Sequence, residues 1–453
     1  MTSIKPNHLK FLGAFILFLL AMGLRLGAVN NTVINEPINA DASDYYTYAV
    51  HLKYHHTYSR ERLPGNAPQP DALRAPGYPA FLVPFVGYPP TESMLRRILL
   101  AQAVLDSITV LLVLSVFRRI MPEGWALGAA FLTAISPHLI SSCTFLLTET
   151  LFTFLMALAL WLAVQMIRNS SNTLAFAAGL MIAAAALTRP TLQFLVIPLS
   201  GMLLVTRERG YNARFVIPLL AGFVLAYTPW VLRNLDTIGS ISDPTQAIDA
   251  LYFGMYPDFR YKDIPDSTGF PYRFDPRSKE ISSSKESVLN EIRRRFRDEP
   301  ARHLQWYLLG KPASLLDWNI LAGMGDIFIY PVSASPFLSQ PVYILLHKFM
   351  KLMHWPFVLL ALAAAVVVWL PGFVNKHSGT SLFTARMLSL LLLYFIALHM
   401  VAAPLPRYGI PLRPVIYGLA MFLCSQAFVR LRSSFSGKPA QPRLRQANIK
   451  PSA

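Results

Sequence analysis

Cysteine is almost absent: Cys143 and Cys424 are the only two in the chain. One lies near the outer end of an apolar segment and the other inside a second. A disulfide between them is not expected, and two cysteines without neighbouring histidine ligands make no zinc site. Charge is scarce too. Only 14% of the 453 residues are charged, where a soluble protein carries about a quarter. There is no Walker loop, no GxGxxG fingerprint and no soluble-repeat signature, so nothing points to a nucleotide-binding domain. His51, His55 and His56 lack the HExxH or CxxC context of a strong metal site and read as loop residues.

What fills the space is apolar sequence. Hydrophobic residues make up 54% of the chain, and the mean hydropathy is +0.41. Long apolar runs recur from end to end, which predicts an all-α, polytopic transmembrane helical bundle. Spans are expected at roughly 10–28, 98–117, 124–138, 149–167, 173–188, 190–206, 214–232, 352–373, 386–403 and 409–429. The stretch 304–330 offers one more, so the expected total is about 10–12. Lys5 and Lys10 ahead of Phe11–Leu24 mimic a signal peptide, but Arg25 interrupts the run and further spans follow. An uncleaved first helix is the reading.

The net charge of +17 invites a nucleic-acid reading, but the basic residues lie between spans and in a tail rather than on one face. Membrane topology explains them. With the N-terminus inside, the short inner segments hold Lys5, Lys10, Arg118, Arg119, Arg168, Arg207, Arg209, Arg214, Lys376 and Arg386. The tail adds Arg430, Arg432, Lys438, Arg443, Arg445 and Lys450, against the acids Glu123 and Glu208. This bias sets an N-in, C-in orientation in the cytoplasmic membrane. Two outer segments are then long, 29–97 and 233–350. The chain divides into a transmembrane module 1–232, the outer region 233–350, C-terminal spans 351–430 and a basic tail 431–453. The tail reads as disordered and drawn to anionic lipid. Within the second outer segment, 286–298 reads as a surface helix lying on the membrane.

Chemistry-bearing residues gather at the outer boundaries. Asp41 and Asp44, in Asn39-Ala40-Asp41-Ala42-Ser43-Asp44-Tyr45-Tyr46, share a face if 40–52 is helical. They read as a cap and a first-turn acid, or as a base for an acceptor hydroxyl. Arg74-Ala75-Pro76-Gly77-Tyr78-Pro79 is a stiff, extended segment whose arginine suits phosphate or a lipid headgroup. Glu149 opens a span as a cap, a second acid or a metal ligand. Arg189, Arg233 and Arg407 stand where topology calls for few basic residues, and with Arg74 they surround a place for an anionic headgroup. Asp106 lies mid-span, as a proton path or paired with Gln102 or a boundary arginine.

In order along the chain, these pieces resemble the GT-C class of integral-membrane glycosyltransferases. The likeness is to the bacterial branch related to protein O-mannosyltransferases and the lipid A aminoarabinose transferase. It rests on Asp41-x-x-x-Tyr45, Arg74-x-Pro-Gly-Tyr-Pro, Thr148-Glu149-x-Leu-Phe, Leu187-Thr188-Arg189-Pro190, Pro229-Trp230-x-x-Arg233-Asn234 and Arg407-Tyr408-x-x-Pro411. The resemblance implies sugar transfer from a polyprenyl-phosphate donor to a lipid, glycan or protein acceptor on the outer side of the membrane, by inverting displacement. It implies Asp41 as base, with Asp44 and Glu149 in support, and Arg74, Arg189, Arg407 and Tyr408 around the donor phosphate. Some members bind a divalent metal at the acid corresponding to Glu149; the cofactor otherwise stays open. Ala42 replaces the second acid of the family's common Asp-Glu pair. Two other classes fit the hydropathy: a transporter or flippase of a lipid-linked substrate, which requires charge near the midplane, and an O-antigen ligase or polymerase, which requires its key residues in the late outer segment.

Overall fold

The computed structural model describes residues 6–61, 68–205, 213–321, 323–374 and 379–436. Lys5, Arg207, Arg209, Lys376 and the tail residues Lys438, Arg443, Arg445 and Lys450 lie outside the described residues.

Helices dominate. The first half runs α1 (Pro6–Asn31), α2 (Ala40–His55), α3 (Gly77–Leu82), α4 (Glu92–Phe117), α5 (Glu123–Ala134), α6 (Pro137–Ser142), α7 (Glu149–Asn169), α8 (Asn172–Thr188), α9 (Val196–Val205) and α10 (Val216–Ile238). The segment 233–350 holds α11 (Pro244–Gly254), α12 (Ser278–Ile281), α13 (Lys285–Asp298), α14 (Pro300–Gln305) and α15 (Lys311–Leu315). Then come α16 (Pro336–Ser339), α17 (Pro341–Leu352), α18 (His354–Val367), α19 (Pro371–Val374), α20 (Gly379–Val401) and α21 (Arg413–Ser436). Two short strands, β1 (Val33–Ile34) and β2 (Val332–Ala334), pair antiparallel and tie the end of α1 to the end of the outer region.

Local chemistry sets many of these boundaries. Thr91 accepts from the Met94 amide at 3.2 Å to start α4, and Ser171 accepts from Leu174 at 3.3 Å to start α8. Gly239, at φ 68°, ends α10 in the left-handed conformation. α8 and α10 cross through glycine. A Cβ at Gly179 would fall 2.0 Å from the Leu219 carbonyl oxygen, and one at Gly222 would fall 2.1 Å from that of Phe176. Such small-residue contacts let helices approach where lipid supplies no hydrophobic drive.

Among the described residues, six helices are long and apolar enough to cross a membrane, and a seventh counts if α17 and α18, bent by 47°, form one span. The expected total was higher. The apolar stretch 124–138 is broken by Pro137 into α5 and α6. The expected spans at 173–188 and 190–206 are short apolar helices. The stretch 304–330 splits into α14, a π-helical turn at Trp306–Gly310, and α15, none of spanning length. α13 forms with Ser284 as its cap. Its Val288 packs with Tyr252, Met255, Tyr256 and Ile281, so its apolar face is covered by protein rather than free for lipid. α21 continues to Ser436, past the expected start of the tail.

Candidate active site

α1 ends, α7 begins, α8 ends and the Pro406–Leu412 turn before α21 begins at one end of the bundle. α2 lies across that end. Asn39 holds the cap position of α2, with no side-chain cap bond, and Asp41 sits in the first turn. Asp41 is therefore not the cap. The expected helix over 40–52 is present, and it puts Asp41 and Asp44 on one face as expected.

Arg74 reaches that face from the loop ahead of α3. Its Nη2 donates to Asp41 Oδ1 at 2.7 Å and to Asp44 Oδ2 at 2.8 Å, and its Nε donates to Asp44 Oδ2 at 3.0 Å. The loop that carries it is clamped from outside. Arg233 donates to the carbonyls of Asp71 (2.7 Å) and Tyr58 (3.0 Å), and Gln246 of α11 to those of Ala72 (2.9 Å) and Leu73 (2.5 Å). Arg233 is thus spent on backbone, not gathered round an anion site. The extended reading of 74–79 is not met: the chain bends at 73, 74 and 76, Pro76 has helical dihedrals (φ −80°, ψ −13°), and Gly77 starts α3.

Arg407 completes the link. Its Nη1 donates to Asp41 Oδ2 at 2.7 Å and its Nε to Glu149 Oε1. Arg189 approaches Glu149 Oε1 at 3.1 Å and stacks its guanidinium 4.9 Å from the Tyr408 ring centroid and 5.8 Å from that of Phe152. The result is one unbroken chain: Asp44, Arg74, Asp41, Arg407, Glu149, Arg189. Side-chain exposure falls from about 30% at Arg74 to 17% at Arg407 and 1% at Glu149, so the chain runs from an open mouth into the protein.

Three carboxylates meet three guanidiniums, and the donors are in excess. Among the described residues Arg74 Nη1 and Arg407 Nη2 make no hydrogen bond, the Arg189 side chain has only its ion pair to Glu149, and buried Glu149 Oε2 has no partner. An anion with several acceptor oxygens suits such a place. For Asp41, burial pulls the pKa upward. Arg407 and then Arg74 outweigh it and hold the carboxyl down at about 2. A divalent cation fits poorly, because each carboxylate already faces a guanidinium and no group of three or more His, Cys, Asp or Glu gathers among the described residues. The metal-ligand reading of Glu149 gains no support from this geometry.

Tyr45 and Tyr330 were not among the expected site residues. The Arg74 guanidinium lies 5.6 Å from the Tyr45 ring centroid, and the Tyr330 hydroxyl accepts from the Ala42 amide at 3.3 Å. Tyr45 stood in the quoted motif; nothing around Tyr330 marked it. Asp106 pairs with neither Gln102 nor a boundary arginine. Arg25 takes it at 2.6 Å, with both groups buried. Gln102 bonds instead to Tyr78 and to the carbonyls of Cys143 and Phe145. A closed ion pair offers no proton path, so the midplane charge that favoured a transporter is accounted for.

Residues 91–232 match the family model described as dolichyl-phosphate-mannose-protein mannosyltransferase. The fold is similar to that of the oligosaccharyltransferase AglB of Archaeoglobus fulgidus, solved with an inhibitory peptide and a dolichol-phosphate. That likeness has a TM-score of 0.53 at 15% identity and covers 98% of this chain and 53% of the other. The apo form of the Archaeoglobus fulgidus oligosaccharyltransferase gives 0.53 at 12% identity, over 95% and 52%. ArnT of Cupriavidus metallidurans, bound to undecaprenyl phosphate, gives 0.36 at 14% identity, over 94% and 79%, and carries no argument. The chain spans about half the length of the oligosaccharyltransferase it matches, and at these identities the likeness speaks for the fold. No curated protein matches the chain. The family match is confined to residues 91–232, less than half of the chain; it takes in Glu149 and Arg189 but not Asp41, Arg74 or Arg407.

Proposed function

We propose that this protein transfers a sugar from a polyprenyl-phosphate donor to a hydroxyl or amide of a lipid, glycan or protein acceptor, on the outer face of the cytoplasmic membrane. The observation that carries this reading is Arg407, which bridges Asp41 and Glu149 and still keeps a nitrogen without a hydrogen bond, next to Arg189, whose one ion pair is also to Glu149. The donor phosphate takes Arg189 and the spare nitrogens of Arg407 and Arg74. The polyprenyl chain is assigned to the apolar cleft whose lining includes Leu192, Leu195, Leu199, Met387, Leu390 and Leu391, side chains that must part to admit it. The concentration of basic residues between spans and in the tail supports the outer placement.

Asp41, held at about 2 by two guanidiniums, is a poor base before the donor arrives. When phosphate draws Arg407 and Arg74 towards itself, Asp41 loses counter-charge and gains basicity. The acceptor oxygen or nitrogen then attacks the anomeric carbon, the bond from that carbon to the phosphate oxygen breaks, and the acceptor proton passes to Asp41. The polyprenyl phosphate leaves with its charge held by the arginines. The anomeric configuration inverts because one displacement occurs. Transfer from a defined polyprenyl-phosphate sugar by purified protein in nanodiscs tests this. Loss of transfer in Asp41→Asn is expected, and full retention would sink the assignment.

A further inference from the structure

The turn that delivers Arg407 and Tyr408 is short. α20 ends at Val401, and residues 402–405 lead directly into Pro406–Leu412. α15 holds that turn. Lys311 Nζ donates to the carbonyls of Met400 (3.0 Å), Val401 (3.2 Å) and Ala402 (3.2 Å). These are end-of-helix carbonyls, which lack helical partners. Ser314 Oγ donates to the Pro404 carbonyl at 3.0 Å. Gly409 passes so close that a Cβ there would sit 2.1 Å from the Leu315 carbonyl oxygen.

Lys311 is fully buried, and among the described residues no carboxylate pairs with it. Its charge is met by three carbonyl dipoles and by the Tyr307 ring, whose centroid is 3.6 Å from Nζ. Such an isolated buried cation is costly unless every proton has an acceptor. Here each of the three does.

We propose that Lys311 is a positioning residue for the site: its ammonium, shared among three carbonyls at the end of α20, fixes the 402–408 turn and so the reach of Arg407 between Asp41 and Glu149. A neutral amine has two N–H groups for three carbonyls and turns a lone pair on the third. Burial pushes the Lys311 pKa from 10.5 down to about 7. The latch is therefore complete below about neutral pH and incomplete above it. The other titratable groups nearby are Tyr307, His399 of α20 and, beyond His399, Tyr408. The His399 ring bonds the Phe395 carbonyl at 2.8 Å and lies 5.7 Å from Tyr408.

The test follows amide exchange of the 400–409 peptide by mass spectrometry at pH 6 and pH 8, corrected for intrinsic rates, in wild type, Lys311→Arg, Lys311→Met and His399→Gln. Losing a hydrogen bond to a charged group corresponds to roughly tenfold less protection. Wild type and His399→Gln are expected to lose about that much between pH 6 and pH 8. Lys311→Arg is expected to lose none, and Lys311→Met to be unprotected at both. A slope that vanishes in His399→Gln, or wild-type protection in Lys311→Met, overturns the proposal. The link to Arg407 rests on the donor reading above and is read separately, by binding of dolichyl phosphate in detergent. Lys311→Met is expected to raise Kd roughly tenfold, and an unchanged Kd overturns the positioning role. If dolichyl phosphate binds no variant while the exchange pattern holds, the donor reading fails and the latch stands.

Discussion

Two sets of ion pairs sit in this bundle, made of the same groups and used differently. Mid-bundle, Arg25 is closed on every side. Its Nε goes to Asp106, its Nη1 to the carbonyls of Ala21 and Ala134, and its Nη2 to that of Thr133. Both side chains are shut off from solvent. At the end of the bundle, Arg74 and Arg407 are part-exposed, Arg189 is buried, and all three keep nitrogens without a hydrogen bond. A pair whose donors are all matched holds helices together. A chain with donors to spare has capacity for a ligand. Satisfaction, not charge, separates the two.

That contrast can be broken in several ways. The largest effect belongs to Asp41→Asn, where loss of the proton acceptor is expected to slow sugar transfer by about 10²–10⁴-fold, with a fall in the melting midpoint smaller than that of Arg25→Met. A large melting shift without loss of rate would make the rim chain another structural pair. Next is Arg25→Met, which leaves Asp106 buried without its partner. Breaking such a pair is expected to cost about 3–5 kcal/mol of stability, read by thermal unfolding, with turnover per folded molecule retained. Joining it with Asp106→Leu replaces the pair by apolar groups and is expected to restore most of the lost stability.

Smaller effects lie in the loop that carries Arg74. Gln246→Ala removes two bonds to the carbonyls of Ala72 and Leu73 and is expected to raise the donor KM several-fold while kcat changes less. Least of all is an acid effect. Asp41 is held at about 2 against an ordinary 3.8, so its ionised form stabilises the fold above about pH 4. That contribution is lost as pH falls from about 4 towards 2. The melting difference between wild type and Asp41→Asn should shrink over that range, and over a higher range in an Arg407→Ala background.

Much of the site was legible because it is built from residues at span boundaries, where charge stands out against apolar sequence. Asp41, Asp44, Arg74, Glu149, Arg189, Arg407 and Tyr408 were all marked there, and the fold brings them together. What sequence could not supply was pairing across long separations. Arg25 and Asp106 are 81 residues apart, and a mid-span acid alone does not name its partner. Arg233 looked like a headgroup ligand because its span boundary resembles the others; only the placement of Tyr58 and Asp71 shows that backbone carbonyls take it. Lys311 and Tyr330 lie in the irregular 233–350 segment without periodicity, so no pattern pointed to them. The span count ran high because apolar composition registers stretches such as 124–138, where Pro137 interrupts the helix.

The most direct measurement is binding of dolichyl phosphate to purified protein, compared across wild type, Arg189→Ala and the Arg25→Met, Asp106→Leu double variant. Within the protein Arg189 pairs with Glu149 at 3.1 Å and stacks on Tyr408 and Phe152, so weaker binding in Arg189→Ala with the melting midpoint retained reports on the ligand. The expected result is at least a tenfold rise in Kd for Arg189→Ala, roughly the worth of one charged hydrogen bond, with wild-type affinity in the double variant. Equal affinity in wild type and Arg189→Ala, or loss of binding only in the double variant, would contradict the assignment of the donor phosphate to the rim.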